Sequence, residues 1–239
     1  MQVYIDAGHR NNAWDYGATS NGYKESELAL MVSKEIKTKL QNLGITVHMS
    51  RETENDVKSL SERSTEANNL GVDLYLSVHL NAFNGVANGI EVLYYADPAL
   101  ATLMVNNMCD LTGAVNRGAK QRQDLWVLQA TRMEAVLVEL GFIDNAIERA
   151  NFLNDAYRAK LVDGIVDAIV VFFNIDLKVE TPTQTVDTEV TTTTIELNGV
   201  IKTVDRILKD GTNYIKLRDL ADSKIKVDYV NGMVQVWSE

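Results

Sequence analysis

Residues 1–175 alternate short apolar runs with longer amphipathic stretches, and few folds accommodate that pattern. Apolar runs end near Asp6, His79 and Glu139, and helical spacing of apolar residues extends from about Ser26 to Leu43. Further strands are expected over 45–49 and 90–95, and further helices over 60–70, after Pro98 and through Phe172. This alternation predicts an α/β fold with a largely parallel central sheet and helices on both faces.

Polar residues able to bind a metal follow three of the apolar runs. Ligands in such folds gather at the carboxyl ends of the strands, where His9, His79 and Glu139 are expected. Each histidine alone fits a hydrogen-bonded structural role, but two of the three histidines in the chain occupy this setting. Two imidazoles and a carboxylate, with one position open to water, form a common catalytic zinc site. A second carboxylate beside that water can act as general base.

The local sequence favours a functional role for Glu139 more than for Glu25 or His48. Glu139 lies within an apolar run, where an acid is costly unless it is paired or takes part in chemistry. Glu25 stands at a helix start, and its local sequence favours a first-turn carboxylate that interacts with the helix dipole. His48 has neither acids nor glycines around it, which predicts a structural role.

Four spaced motifs appear in a fixed order: VYIDAGH ending at His9, GYKE ending at Glu25, LSVHLNA around His79 and LVELGFI around Glu139. Together they resemble the zinc-dependent N-acetylmuramoyl-L-alanine amidases of the Amidase_3 type, a family of bacterial cell-wall amidases and phage endolysins. The resemblance covers about residues 2–175. It implies that His9, Glu25 and His79 bind Zn²⁺ and that Glu139 is the catalytic acid/base. The implied substrate is the amide joining N-acetylmuramic acid to L-alanine in peptidoglycan.

Two positions depart from the family pattern around the first histidine. Ala7 and Arg10 stand where the family commonly has proline and glycine. Neither position is a ligand, and Arg10 is a candidate for substrate contacts at the rim of the site. Asn81 is a second candidate for substrate binding, with capping of the strand end as the alternative.

Composition changes after the first domain. We expect a catalytic domain over 1–176, a threonine-rich linker over 177–194 and a small β-rich domain over 195–239. Asn198-Gly199 and Asn231-Gly232 each lie between apolar runs, which predicts two hairpins. This tail has no histidine and loosely resembles small modules of bacterial wall enzymes. We interpret it as a cell-wall-binding domain, with pairing between copies (homo-oligomerisation) as the alternative.

Charge and composition exclude several classes of protein. The net charge of −10 argues against nucleic-acid binding, and no apolar run is long enough to insert into a membrane. The single cysteine, Cys109, excludes an internal disulfide and is expected to be a small buried hydrophobe.

The sequence begins without a basic and apolar leader. With a C-terminal module, this favours an endolysin that stays in the cytoplasm until the membrane is permeabilised and then meets the wall. A secreted autolysin whose leader was removed is the alternative. Two other functions fit the same residues: a zinc carboxypeptidase-like hydrolase of wall peptides, and an inactive wall-binding protein.

Overall fold

The computed structural model describes residues 1–10 and 15–175 in full, and beyond them the backbone of strands within 191–238. The chain divides into two compact units, Met1–Leu177 and Lys178–Glu239. In the described part of the chain, no helix has both the length and the apolarity needed to cross a bilayer.

A six-stranded sheet forms the centre of the first unit. Its strands are β1 (Gln2–Ala7), β4 (Thr46–Met49), β5 (Leu74–Asn81), β6 (Ile90–Tyr94), β7 (Asn116–Gln121) and β8 (Glu134–Phe142), in the spatial order β4-β1-β5-β8-β6-β7. Neighbouring strands run parallel except β6 and β8, which are antiparallel. A short hairpin of β2 (Thr19–Ser20) and β3 (Tyr23–Lys24) precedes the first helix. The predicted α/β class and largely parallel sheet are confirmed.

Helices cover both faces of this sheet. They are α1 (Glu25–Asn42), α2 (Leu60–Leu70), α3 (Ala99–Thr112), α4 (Trp126–Gln129), α5 (Ala146–Leu153) and α6 (Asp155–Phe172). The boundaries of α2 follow from its sequence: Ser59 and Glu62 form a reciprocal capping box, and Gly71 ends the helix with φ of 61°.

Strand alternation divides the buried side chains between two cores. The larger core joins residues such as Val3, Ile5 and Val78 to α1, α3 and α6, and Cys109 belongs to it as expected. The smaller core contains Tyr4 and Leu137, with side chains from α2 and α4. Because α4 is a single turn, this second face is covered by less helix than the first.

Residues 116–121 form the edge strand β7, which no apolar run in the sequence indicates. Its sequence, NRGAKQ, has no apolar alternation, and an edge strand needs a partner on one side only.

The second unit contains antiparallel strands. In one sheet β10 (Val200–Lys209) lies between β9 (Thr191–Leu197) and β11 (Thr212–Ile215). A separate pair consists of β12 (Ile225–Val230) and β13 (Met233–Ser238). Both pairs flank the predicted Asn-Gly turns, which themselves lie outside the described residues. Most of the expected linker, 177–190, also lies outside them, but residues 191–194 belong to β9 rather than to a linker.

Candidate metal centre

His9, His79 and Glu139 lie toward the carboxyl ends of three neighbouring strands in the middle of the central sheet. Gly8 and His9 follow β1 directly, while His79 and Glu139 lie near the ends of β5 and β8 and pair with each other in register. Ala7 pairs with Val78, which brings His9 beside His79. Three adjacent parallel strands therefore bring His9, His79 and Glu139 together, as the sequence predicts.

Glu25 completes the cluster from the first residue of α1. Its Oε1 atom lies 3.1 Å from His9 Nε2 and 2.9 Å from His79 Nδ1. One ligand atom from each of His9, Glu25 and His79 lies within 4.8 Å of the others. Two imidazole nitrogens and a carboxylate oxygen at this spacing match the donor set of a zinc site.

Backbone amides hold the Glu25 side chain in place. Ala18 N–H donates to Oε2 over 2.8 Å, and Leu80 N–H donates to Oε1 over 3.1 Å. Burial by itself would raise the pKa of Glu25, but hydrogen bonds and charge from His79 and His9 lower it well below its usual range. Glu25 is therefore an ionised carboxylate inside the protein.

His9 adopts a backbone conformation that is uncommon for a residue with a side chain, with φ of 59°. Asp15 Oδ1 lies 2.7 Å from His9 Nδ1, and Arg63 Nη2 donates to the His9 carbonyl over 2.6 Å. The Asp15 contact occupies Nδ1 and leaves Nε2 facing Glu25 and His79, an arrangement common for metal-binding histidines.

The charges around His9 favour a cation. Burial alone would lower the pKa of His9, but Glu25 and Asp15 together raise it to about 9. The same carboxylates would stabilise a divalent cation in that position. The donor set and its electrostatics therefore both fit a metal ion.

Two glycines keep the space around the imidazoles free of side-chain atoms. A Cβ atom on Gly8 would lie 2.5 Å from His79 Cε1 and 2.6 Å from the Val78 carbonyl oxygen. On Gly17, with φ of 69°, it would lie 2.5 Å from His9 Cδ2. Both positions therefore require glycine.

Glu139 contributes a second buried carboxylate beside the cluster. Burial raises the pKa of Glu139 to about 7; the charge of His79 opposes that shift, while the charges of Glu25 and Glu91 add to it. Its Oε2 atom is buried and has no hydrogen-bond partner among the described residues. Because no protein group occupies this oxygen, it is available to a water molecule or a substrate group.

The two candidate substrate contacts already have partners within the protein. Asn81 donates from Nδ2 to Glu91 Oε1 over 3.2 Å and accepts from Ala82 N–H over 2.9 Å. Arg10 Nε lies 3.4 Å from Asp15 Oδ2. His48, interpreted as structural, contacts Gln2 Oε1 through Nε2 over 3.1 Å.

Asp15, Arg63 and Glu91 also contact residues of the site, although the local sequence around them indicates no role. Asp15 stands in a polar loop where no local pattern marks it. The contacts of Arg63 and Glu91 depend on how distant elements pack. Arg63 Nη1 forms a buried ion pair with Asp6 Oδ1 over 2.8 Å.

Comparison with known proteins identifies relatives of this chain. The family described as N-acetylmuramoyl-L-alanine amidase (Amidase_3) matches residues 3–171. The sporulation-specific N-acetylmuramoyl-L-alanine amidase of Bacillus subtilis is 30% identical over 182 residues, which cover 73% of this chain and 69% of that protein.

Solved structures match the first unit. An N-acetylmuramoyl-L-alanine amidase from Clostridium difficile 630 has a TM-score of 0.69 and 30% identity, covering 73% of this chain and 97% of that one. The catalytic domain of the CD27L endolysin, which targets the same organism, has a TM-score of 0.60 and 27% identity, covering 70% of this chain and 97% of that one. The chain therefore belongs to the Amidase_3 family of N-acetylmuramoyl-L-alanine amidases.

Proposed function

We propose that the protein is a zinc-dependent hydrolase of peptidoglycan. It cleaves the amide between the lactyl group of N-acetylmuramic acid and L-alanine of the stem peptide. Family membership supports the substrate. The observation that carries the proposal is the convergence of His9, Glu25 and His79 next to the unpartnered carboxylate oxygen of Glu139.

His9 Nε2, His79 Nδ1 and Glu25 Oε1 would hold the metal. Bound there, Zn²⁺ would polarise the substrate carbonyl and make a water molecule more acidic. Asp15 fixes the His9 ring, and the Ala18 and Leu80 amides fix the Glu25 carboxylate, so that these ligand atoms stay close together.

Glu139 would move the protons of the reaction. Its free Oε2 atom takes a proton from the attacking water and returns it to the alanine nitrogen as the amide bond breaks. The products are a muramic acid carboxylate and a peptide with a free alanine amino group. Burial of the Glu139 side chain suits it to hold a proton between these two steps.

Mass spectrometry of digested peptidoglycan tests this function. We expect free alanine amino termini on intact glycan strands, formed with zinc and abolished by a chelator. Glu139→Gln should bind zinc and release no peptide, since its amide cannot accept the proton. Glu134→Gln is the matched control, because Glu134 lies on β8 but at the opposite end of the strand.

Two results would replace the proposal. Cuts inside the peptide that spare the muramoyl–alanine bond would indicate the carboxypeptidase-like hydrolase. Binding without cleavage of several walls by the zinc-loaded protein would indicate the inactive wall-binding protein.

We also propose that the second unit binds a cell-wall polymer. The support is its composition: seven basic and seven acidic side chains over 195–239, no histidine, and aromatic residues such as Trp237. Cosedimentation with purified walls checks this, and a fraction bound that is unchanged in Trp237→Ala would count against a role for that aromatic side chain. The endolysin role stays a prediction, since both bacterial amidases and an endolysin domain match the fold.

A further inference from the structure

A group of charged side chains lies beside Glu139 at the far edge of the sheet. Glu91 on β6 is directly opposite Glu139 in the antiparallel pair of β6 and β8. Side chains of such pairs extend from the same face of a sheet. Glu91 therefore lies next to the proposed proton carrier and on the same side of the sheet.

Glu91 holds two cations from β7. Its Oε2 atom accepts a hydrogen bond from Arg117 Nε over 2.7 Å and another from Lys120 Nζ. The side chain of Glu91 is 10% exposed, whereas the side chains of Arg117 and Lys120 are 33% and 41% exposed. We call Glu91, Arg117 and Lys120 the edge patch. Its carboxylate is inside and its cations reach solvent.

The edge patch has a net positive charge and N–H groups that are available to an anion. Two cations against one carboxylate leave one net positive charge, in a chain whose formal net charge is −10. Arg117 uses Nε for Glu91 and makes only a long contact, 3.4 Å, from Nη1 to the Asn88 carbonyl. The remaining guanidinium N–H groups of Arg117 have no hydrogen-bond partner among the described residues.

The guanidinium group is also held in position. It lies over the Phe142 ring, with 4.9 Å between its carbon atom and the ring centroid. A planar guanidinium fixed on one edge by a carboxylate and on one face by a ring presents its other N–H groups as a rigid fork. Such a fork matches the two oxygens of a carboxylate.

A third cation lies close by. Arg122 forms a bidentate ion pair with Asp124 over 2.8 Å, so its charge is largely balanced. That pair raises the pKa of Arg122, and the charges of Glu91 and Glu139 add to the effect. The polar rim of the site therefore continues along this edge, but the unbalanced charge belongs to Arg117 and Lys120.

We propose that Arg117 and Lys120 bind a carboxylate of the stem peptide while the scissile amide lies at Glu139. This inference rests on the function proposed above. Neighbouring strands are about 4.8 Å apart, so β7 lies roughly 10 Å from β8. An extended peptide advances about 3.4 Å per residue, so the contact falls about two to three residues beyond the scissile bond. Free carboxylates on the second stem residue, or further along the stem, are at this range.

Three polymeric peptidoglycan samples test the subsite with the zinc-loaded full chain. The first carries a free carboxylate on the second stem residue, the second has that group amidated, and the third is amidated at every carboxylate with carbodiimide and ammonia. Release of alanine amino termini is measured as kcat/KM. We expect full amidation to lower kcat/KM about ten- to a hundredfold, the range of one charge-assisted hydrogen bond. A loss already present in the second sample assigns the contact to the second residue, and a loss only in the third assigns it further along the stem.

Variants identify the residues responsible. Arg117→Gln and Lys120→Gln should each lower kcat/KM on the free-carboxylate sample and leave the fully amidated sample unchanged, so that discrimination is lost. Arg132→Gln is the control, because Arg132 is an exposed cation outside this edge. If Arg117→Gln is misfolded by circular dichroism, Lys120→Gln carries the test.

The two proposals fail in different ways. Equal kcat/KM of the wild type on all three samples would overturn the carboxylate subsite and leave the amidase intact. Loss of activity in the variants to the same extent on every sample would also overturn it. No alanine release from any sample by the zinc-loaded wild type would overturn the amidase function itself.

Discussion

The buried ion pair between Asp6 and Arg63 should dominate the stability of the region beneath the metal centre. Asp6 Oδ1 accepts from Arg63 Nη1 over 2.8 Å, and the two side chains are 1% and 2% exposed. Asp6 Oδ2 also accepts from Ser77 Oγ over 2.9 Å. Asp6→Asn keeps the size of the side chain and removes its charge, which leaves Arg63 without its anionic partner.

The contacts of Arg63 set the expected magnitude. Removing one partner of a buried ion pair costs about 3–5 kcal/mol of the free energy of unfolding. Arg63 retains the carbonyl oxygens of Lys58, Ala7 and His9 as acceptors, which places the variant at the lower end. A loss of about 3 kcal/mol corresponds to a fall in Tm of roughly 6–12 °C for a unit of this size.

Thermal unfolding of the wild type, Asp6→Asn and Asp124→Asn measures this effect. Asp124→Asn is the control, because its ion pair with Arg122 is exposed, and exposed pairs contribute little to stability. We expect the control to keep the Tm of the wild type. An Asp6→Asn variant that unfolds at the Tm of the control would refute the conclusion that this buried pair stabilises the fold.

The pH dependence supplies an independent check. Burial alone would raise the pKa of Asp6, but the charge of Arg63 and weaker contributions outweigh it, so the pKa in the folded state lies below the ordinary 3.8. The stabilisation is therefore complete above the unfolded pKa and is lost as the pH falls through the lower folded value. The difference in stability between wild type and Asp6→Asn should be constant near neutral pH and shrink below about pH 4. A difference that stays constant down to pH 2 would contradict this.

Two further predictions concern the metal centre. Asp15→Asn should weaken zinc binding about 10- to 100-fold, because Asp15 orients the His9 ring through Nδ1. Competition with a chromogenic chelator measures the zinc affinity. An unchanged affinity would show that Asp15 does not support the metal site. Gly17→Ala should displace His9 or Glu25 and cost about 1–3 kcal/mol, measured by urea unfolding together with zinc binding. Gly22→Ala is its control, since Gly22 also has positive φ but open space around it, and equal zinc affinities of the two variants would contradict the steric explanation.

Periodicity in the sequence was sufficient to place the strand-end residues. Apolar runs precede His9, His79 and Glu139, and the parallel pairing of β1, β5 and β8 brings these three residues together. The strands β5 and β8 continue past His79 and Glu139 to Asn81 and Phe142, so the apolar runs did not fix their ends. The same reasoning failed for β7, whose polar residues lack alternation because one side of an edge strand needs no partner.

Glu25 and Asp15 show what local sequence does not contain. The first turn of a helix favours an acid wherever the helix lies, so the position of Glu25 in the sequence does not distinguish a dipole contact from a ligand. Its burial and its contacts with His9 and His79 arise only when α1 packs against the strand ends. Asp15 reaches His9 across a polar loop, and no periodic pattern encodes that contact.

The antiparallel pairing of β6 with β8 explains why the edge patch lies beside Glu139. In the parallel strands β5 and β8, His79 and Glu139 lie in the C-terminal halves. Because β6 runs opposite to β8, its beginning lies at that same edge, and Glu91 is its second residue. The strand β7 is parallel to β6, so Arg117 is likewise near its beginning. Because β6 and β7 run opposite to β1, β5 and β8, residues near the beginnings of β6 and β7 lie beside residues toward the carboxyl ends of β1, β5 and β8. The edge patch therefore lies sideways along the sheet from Glu139, which is the direction that the proposed subsite assigns to the peptide part of the substrate.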